Sequence, residues 1–357
     1  MIRYDPFSLR LSSPLGTAAG RITDRKGFVV RVEADGHRGV GEAAPLPGWT
    51  ESYDDCEAAL ADAAAPNGDD APAPDDPAAG VDVATPAARH GVELARADAL
   101  ARAADESLAA WLADGSPAGS VPVNATVGDA SIEASAAATR EAVDAGYEAV
   151  KVKIGARKVG EDEERLRAVR EAAGDGVELR ADANGGLDAS AAERLVGVAA
   201  DLDFAYVEQP RPASDLAGNA ALRDRGIDIA LDESIAAVGI DAVLERDAAD
   251  VVVCKPMALG GPVRTRDLAR RAAADGVEGV VTTTIDGAVA RTGALHVAAA
   301  LPDVPACGLA TGERLESDLA ADPAPVEDGR MVVPSGPGLA GAAFDPLRRE
   351  GGLPDSE

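Results

Sequence analysis

From Val121 onward, short runs rich in Val, Ile and Thr alternate with longer stretches whose apolar residues recur every three or four positions. The runs are VPVNATV, AVKVKIG, VELRADANG, FAYVEQP, IDIALDES, DVVVCKP, VEGVVTTT and VPACGLATG. Between them lie amphipathic segments such as DEERLRAVREAAG and GPVRTRDLARRAAADG. Buried-strand runs that alternate with helical spacing predict βαβ units and a parallel sheet. Eight such units, at roughly 25 residues each, fit a (β/α)8-type barrel better than a doubly wound sheet. The first run is not followed by the GxGxxG turn of a dinucleotide-binding unit, which weakens that alternative.

Residues 1–115 have a different rhythm. FSLRLSSP, GFVVRVEADG and HRGVGEAAPL read as an antiparallel meander, and DDCEAALADAAA and ATPAARHGVELARADALARAA as helices. Between the helices, near residues 65–80, PNGDDAPAPDDPAAG is low in complexity and predicts a surface loop with no part in catalysis. The predicted architecture is therefore α/β: an N-terminal α+β capping domain over 1–115, a barrel over 116–312, and a segment over 313–357 that packs back on the first domain.

Composition changes the picture in one respect. The 357 residues include 62 acidic and 34 basic side chains, a formal net charge of -28, with 46% hydrophobic and only 3% aromatic residues. The hydrophobic content argues for a packed protein rather than disorder. The acidity repels nucleic acid and anionic membranes, so neither is an expected partner. Surplus acid, abundant Ala and scarce Lys read as adaptation to a high-salt cytoplasm, where charge repulsion is screened. The expected result is a melting temperature that rises from low to molar KCl; a flat or falling curve would remove this reading. Cys56, Cys254 and Cys307 are too few and too dispersed for a disulfide framework or a CxxC site. There is no apolar N-terminal signal region and no run of about 18 apolar residues, so a soluble, cytoplasmic protein is expected. Nothing in the sequence specifies an oligomeric state.

Candidate chemistry lies at the ends of the runs. The chain has five lysines, and two of them, Lys151 and Lys153, lie two residues apart in the apolar run EAVKVKIG. Residues i and i+2 of a strand share a face, so both point one way while Val150 and Val152 point the other. The next four runs each place a charge at the matching end: Asp182, Glu208, Asp232 and Lys255, spaced 26, 24 and 23 residues apart. In a barrel, the inward face at the C-terminal strand ends is where catalytic groups gather. A single acidic residue there is more often an ordinary polar cap. Five charges in register, with rare lysines at both ends of the series, favour a site. Three converging carboxylates cannot all stay ionised without a cation. All-oxygen donors with no His or Cys nearby select a hard ion, Mg2+ ahead of Mn2+ or Ca2+. A lysine beside another cation can serve as a base near neutral pH, so Lys151 is expected to tune Lys153. A metal with a lysine base suggests proton abstraction next to a carboxylate, on a small-molecule substrate.

KVKIG, RADANG, VEQP, LDES and VCKP, in this order and spacing, resemble the muconate-lactonizing-enzyme subgroup of the enolase superfamily. The resemblance covers nearly the whole chain. It implies Lys153 as acid/base, Lys255 as the lysine on the opposite face, and Asp182, Glu208 and Asp232 as Mg2+ ligands, with Mn2+ as a substitute. Within the subgroup, GVGEAAPLPGWTESYDDC resembles the capping loop of the o-succinylbenzoate synthases. That implies syn-dehydration of 2-succinyl-6-hydroxy-2,4-cyclohexadiene-1-carboxylate to 2-succinylbenzoate, a step of menaquinone biosynthesis. It further implies that Arg180 lies near the substrate carboxylates, and that the Thr282 hydroxyl and Gly308 amide hold the succinyl end. TTTID stands where a serine-rich run is more usual. Trp49 and Tyr53 flank the capping loop, Trp49 being the better candidate to close over a ring. Asn184 and Glu233 follow ligand positions and are weighed as supports of the ligands against a plain turn or cap.

His37, His90 and His296 are expected to be structural, and the seventh run contains no His, which removes the His-Asp dyad of the mandelate-racemase subgroup. The alternatives are an N-succinylamino acid racemase or dipeptide epimerase of the same subgroup and, remotely, a non-catalytic binding barrel. An epimerase that holds an ammonium would need acid on the eighth run, and VPACGLATG has none.

Overall fold

The computed structural model describes residues 1–17, 20–65, 78 and 80–353; most of the predicted low-complexity loop near 65–80 lies outside these described residues. Three strands, β1 (Ile2–Thr17), β2 (Gly20–Ala34) and β3 (His37–Ala43), form an antiparallel meander, with a register shift between Arg10 and Leu15. Its buried face carries Val30, Val32 and Phe28, and packs on the helices Tyr53–Ala64 and Pro86–Ala103. Gly39 and Gly41 of β3 abut the main chain of the second helix, where any Cβ would clash.

The predicted first barrel strand divides in two. β4 (Ser120–Pro122) leaves the barrel, and β5 (Asn124–Val127) begins it. Six further strands follow: β6 (Ala149–Lys153), β7 (Glu178–Asp182), β8 (Tyr206–Glu208), β9 (Asp228–Leu231), β10 (Val251–Cys254) and β11 (Glu278–Val281). Among the described residues β5 to β11 make one parallel sheet in sequence order. The eighth run forms no regular strand; it closes the curl through single bridges. The Cys307 amide donates to Pro122 O at 2.8 Å, the Asn124 amide to Cys307 O at 3.0 Å, and the Gly308 amide to Val281 O at 2.9 Å. One face of each barrel strand, with Val150, Val152, Leu179, Val207, Leu231 and Val252, packs under the surrounding helices. No helix among the described residues is long and apolar enough to cross a membrane.

The last segment supplies β12 (Val326–Glu327) and β13 (Arg330–Val332), which pair with β4 in a small antiparallel sheet. Beyond it the chain returns to the first domain. The buried Asp98 carboxylate takes two bonds from Arg348, at 2.9 and 3.0 Å, and one each from the Leu339 and Val40 amides at 2.8 and 2.9 Å. A buried carboxylate with this many donors is fully satisfied.

Two more acids join the first domain to the barrel by capping barrel helices across the interface. Glu93 accepts from the Val263 and Arg264 amides at the start of Pro262–Ala274. Glu42 accepts from Gly287 and Ala290 at 2.7 and 3.0 Å, at the start of Ala288–Ala300. A helix N-terminus offers unpaired N–H groups and a positive dipole end to such a carboxylate. Burial and the nearby Asp286 nevertheless push the Glu42 carboxyl up to about 8. The folded state then holds a proton that the unfolded chain releases above its ordinary value, so this contribution to stability falls as pH rises toward 8. The slope is at most about 1.4 kcal/mol per pH unit. His90, whose charging is opposed by burial, acts in the other direction below its ordinary value of 6.5. His90 and the other titrating groups are common to wild type and Glu42→Gln, so between pH 6.5 and 8 wild-type melting temperature should fall more steeply than that of the variant; parallel slopes would show that Glu42 is ionised throughout.

Candidate active site

The i, i+2 alternation builds the barrel interior in layers. The lower layer holds Arg180, Tyr206, Ala230, Val253 and Val280, in the buried barrel floor. One step toward the C-terminal strand ends come Lys153, Asp182, Glu208, Asp232, Lys255 and Thr282. Strand register sets Lys153 beside Asp182 and Asp182 beside Glu208. The five charges that the sequence placed at strand ends therefore do converge.

Each carboxylate meets an ammonium. Lys151 donates to both Glu208 oxygens at 3.1 and 2.9 Å and lies 3.4 Å from Asp182 Oδ2. Lys153 donates to Asp182 Oδ2 at 2.6 Å and to Asn184 Oδ1 at 2.7 Å. Lys255 pairs with Asp232 Oδ2 on the far side. Burial disfavours charge on Lys151, but Glu208 and Asp182 outweigh it and hold this amine well above its usual range, as a fixed cation. Burial likewise works against ionised Asp182, and Lys151 and Lys153 overcome it and hold the carboxyl below its usual range. Glu208 goes the other way: burial and the adjacent Asp182 push it up to about 7. Asp232 is also raised by burial, with Lys255 opposing. Burial is the largest cause of both raised values, and a neighbouring carboxylate, Asp182 at Glu208 and Glu233 at Asp232, adds to it.

The donor set fits a divalent ion. Asp232 Oδ1 and Glu233 Oε2 are buried without a hydrogen-bond partner, and an orphaned carboxylate oxygen in such a site calls for a cation or a donor. Among the described residues no three acidic, His or Cys side chains stand in ready coordination geometry; the ammonium groups lie between the carboxylates and perform the neutralisation.

Around this core, Asn184 adopts a positive φ of 44° and bridges Lys153 to Glu233, donating to Glu233 Oε1 at 3.0 Å. Gln209, which the sequence reading passed over inside VEQP, also has a positive φ, 42°, and is fully buried. Its amide oxygen accepts from the Asp232 and Ser234 amides at 3.0 and 3.1 Å, fastening the end of β9 to that of β8. Trp49 lies with its ring centroid 3.4 Å from Lys255 Nζ, a close cation–π contact. Its loop is fixed by Glu51, whose carboxylate accepts from the Ala87 and Ala88 amides at 3.0 and 2.8 Å. Helix Pro86–Ala103 has no side-chain cap of its own, and Glu51 supplies one from a distance. Tyr53 stacks on Phe28 in the core of the first domain, away from the lysines.

The residues expected at the substrate, Arg180 at its carboxylates and Thr282 and Gly308 at its succinyl end, all have partners within the barrel. Arg180 shares the face of Asp182 but occupies the floor. It stacks on Tyr206 and donates to Glu178 at 2.5 Å and to Ala306 O at 2.6 Å. The Gly308 amide is engaged by Val281 O in closing the barrel, and the Thr282 hydroxyl donates to Gly308 O at 2.9 Å. Thr282 keeps its place on the catalytic layer. His90 and His296 are buried and bonded to main-chain groups, Glu42 O for the first, Ala109 N and Leu339 O for the second.

Comparison with known proteins agrees with this arrangement. Residues 134–346 match the family model "Enolase C-terminal domain-like", and residues 4–99 match "MenC, N-terminal domain". The chain is 38% identical over 207 residues to an o-succinylbenzoate synthase of Thermobifida fusca; the match takes in 57% of this chain and 63% of that relative, just under two thirds of its length. Among solved structures it resembles a substrate-liganded L-Ala-D/L-Glu epimerase of Bacillus subtilis, with TM-score 0.86 and 26% identity over 95% of this chain and 97% of that one. It also resembles a dipeptide epimerase of Methylococcus capsulatus complexed with Mg and a dipeptide, with TM-score 0.84 and 29% identity over 95% and 98% of the two chains. With the family model spanning more than half of its length, the chain belongs to the enolase superfamily, as an enolase C-terminal domain-like protein.

Proposed function

We propose that this protein is an o-succinylbenzoate synthase, a lyase that removes water from 2-succinyl-6-hydroxy-2,4-cyclohexadiene-1-carboxylate to give 2-succinylbenzoate. The convergence of Lys153 and Lys255 on three buried carboxylates supports proton abstraction beside a carboxylate. The observation that carries the finer reading is the first domain, which matches the MenC N-terminal model over 4–99. It is joined by the similarity to named synthases, here over part of their length.

Asp182, Glu208 and Asp232 would hold Mg2+, or Mn2+ in its place, with Asn184 and Glu233 steadying the cluster through their mutual bond. When bound, the ion supplies the positive charge that a deprotonated α-carbon next to a carboxylate requires. Lys153 takes the ring proton at C1, and its electron pair forms the new ring double bond. The C–O bond at C6 breaks on the same face, and the protonated Lys153 gives its proton to the departing hydroxyl, which leaves as water. Lys151 keeps positive charge next to Lys153 throughout. Lys255 stays an ammonium on the opposite side, and Trp49 covers it from the capping loop. Thr282 is the hydroxyl left to meet the succinyl chain, whereas Arg180 and Gly308 support the barrel beneath.

A second reading, racemization or epimerization at an amino acid α-carbon, is favoured by the epimerase structures and by the presence of both lysines. Against dipeptide epimerization, residues 304–312 offer no acidic group for a substrate ammonium; an N-succinylamino acid has no ammonium and is not disfavoured on this ground. Purified protein with Mg2+ should turn over the cyclohexadiene substrate far faster than any N-succinylamino acid or dipeptide. Efficient racemization with negligible dehydration would reverse the order of the two readings.

A further inference from the structure

The helix after β6, Val159–Ala173, buries a charged pair that the reaction above does not use. Arg165 is 1% exposed and Asp162 is 0% exposed. They pair at 2.7 Å, and each also bonds the main chain at the end of β6, one at Lys153 and the other two residues later at Gly155. Arg165 Nη1 donates to the carbonyl of Lys153 itself at 2.9 Å. Asp162 Oδ2 accepts from the Gly155 amide at 2.8 Å. Gly155 sits at φ 88°, where the chain turns off the strand. The other arms of the guanidinium reach Gly128 O at 3.0 Å, just beyond β5, and Ser135 Oγ at 3.2 Å.

We infer that Arg165 and Asp162 are a positioning pair for Lys153, clamping the backbone at Lys153 and at the Gly155 turn that follows it so that a long side chain delivers its amine to one place. Two physical arguments carry this. A buried ion pair is costly to desolvate, and an apolar pair of similar volume is often at least as stable, so stability alone is a weak reason for one here. The lysine has four side-chain torsions and a side chain 36% exposed; beyond the bonds of its amine to Asp182 and Asn184 little packing holds it, so where its backbone starts decides which of these contacts the amine can reach. Displacements of about 1 Å in a reacting group can cost about 10²-fold in rate. The inference rests on Lys153 being the acid/base group of the proposed function.

The test uses the full chain with Mg2+ and three variants: Asp162→Asn, which is isosteric, Arg165→Met and Arg165→Lys. Lys153 takes the α-proton in the dehydration and, in a racemization, from one of the two enantiomers, so kcat and KM are measured on whichever substrate the wild type accepts, in the direction that uses Lys153, and Mg2+ affinity by calorimetry. The expected result for Asp162→Asn and Arg165→Met is a kcat lowered roughly 10- to 100-fold, with KM and Mg2+ affinity little changed. Arg165→Lys should recover part of kcat by donating to the Lys153 carbonyl. A folded Asp162→Asn with wild-type kcat would overturn the inference, as would a parallel decline of kcat, Mg2+ affinity and melting temperature. If Arg165→Met does not fold, Asp162→Asn decides. Should the wild type accept neither substrate, the functional reading fails separately. A crystal structure of Asp162→Asn then decides this one, because Lys153 Nζ should leave its 2.6 Å contact with Asp182, and an unmoved amine would refute the clamp.

Discussion

Lys153→Ala is expected to abolish dehydration, with kcat falling by at least the roughly 10²–10⁴-fold that general acid–base catalysis contributes. In the proposed dehydration Lys153 would both remove the ring proton and return it to the hydroxyl, so its loss would leave the cycle without its acid/base group. Lys255 lies across the cluster, paired with Asp232 and covered by Trp49. In the dehydration it supplies charge and moves no proton. Lys255→Arg should therefore keep measurable activity, because a planar guanidinium can still pair with a carboxylate and stack on an indole. A two-base racemase would lose both directions of turnover with either substitution, and each lysine would exchange the α-proton from its own side. Proton exchange in 2H2O separates the cases: exchange that survives Lys153→Ala at an undiminished rate would remove Lys153 from the acid/base role.

The second large effect is that of the metal. Chelation should stop turnover, and Mg2+ restored at about 100 times its dissociation constant should stabilise the fold by about 2.7 kcal/mol. For a chain of this size that is several degrees in melting temperature. Asp182→Asn should weaken Mg2+ binding by more than the roughly 10- to 100-fold that follows loss of an outer partner, since it removes a direct ligand. The same ion would take over the neutralisation now performed by Lys151 and Lys153 at Glu208 and Asp182. An unmoved melting temperature on adding Mg2+, or a metal-soaked crystal with the three carboxylates more than about 6 Å apart, would reject the ligand assignment.

Much of this site was legible in one dimension because a β-strand maps sequence onto space by a fixed rule. Alternation of side chains puts Lys153, Asp182, Glu208, Asp232 and Lys255 on one face, and the repeat of βα units brings their ends together. Rare lysines in apolar runs stood out against an acidic chain, and the meander, helices and barrel rhythm followed from periodicity alone. The same rule left depth open. Arg180 is two residues from Asp182, on the correct face, yet one layer lower, and a period of two does not say which layer meets substrate. It also left open the eighth run, where only the main-chain bonds of Cys307 and Gly308 show that the Gly308 amide closes the barrel.

Long-range partners were invisible for a related reason. Arg165 and Asp162 lie three apart on a helix crowded with Arg and Glu, and nothing local distinguishes a buried pair from a solvated one. Glu42, Glu51 and Glu93 accept from helix-start amides 245, 36 and 170 residues further along the chain. The sequence by itself determined the strand faces, and with them which charges share one face of the sheet. Tertiary structure alone decided which charges were buried, which amides were already engaged and where Trp49 came to rest, because desolvation and hydrogen-bond partnership depend on packing between segments distant in the chain.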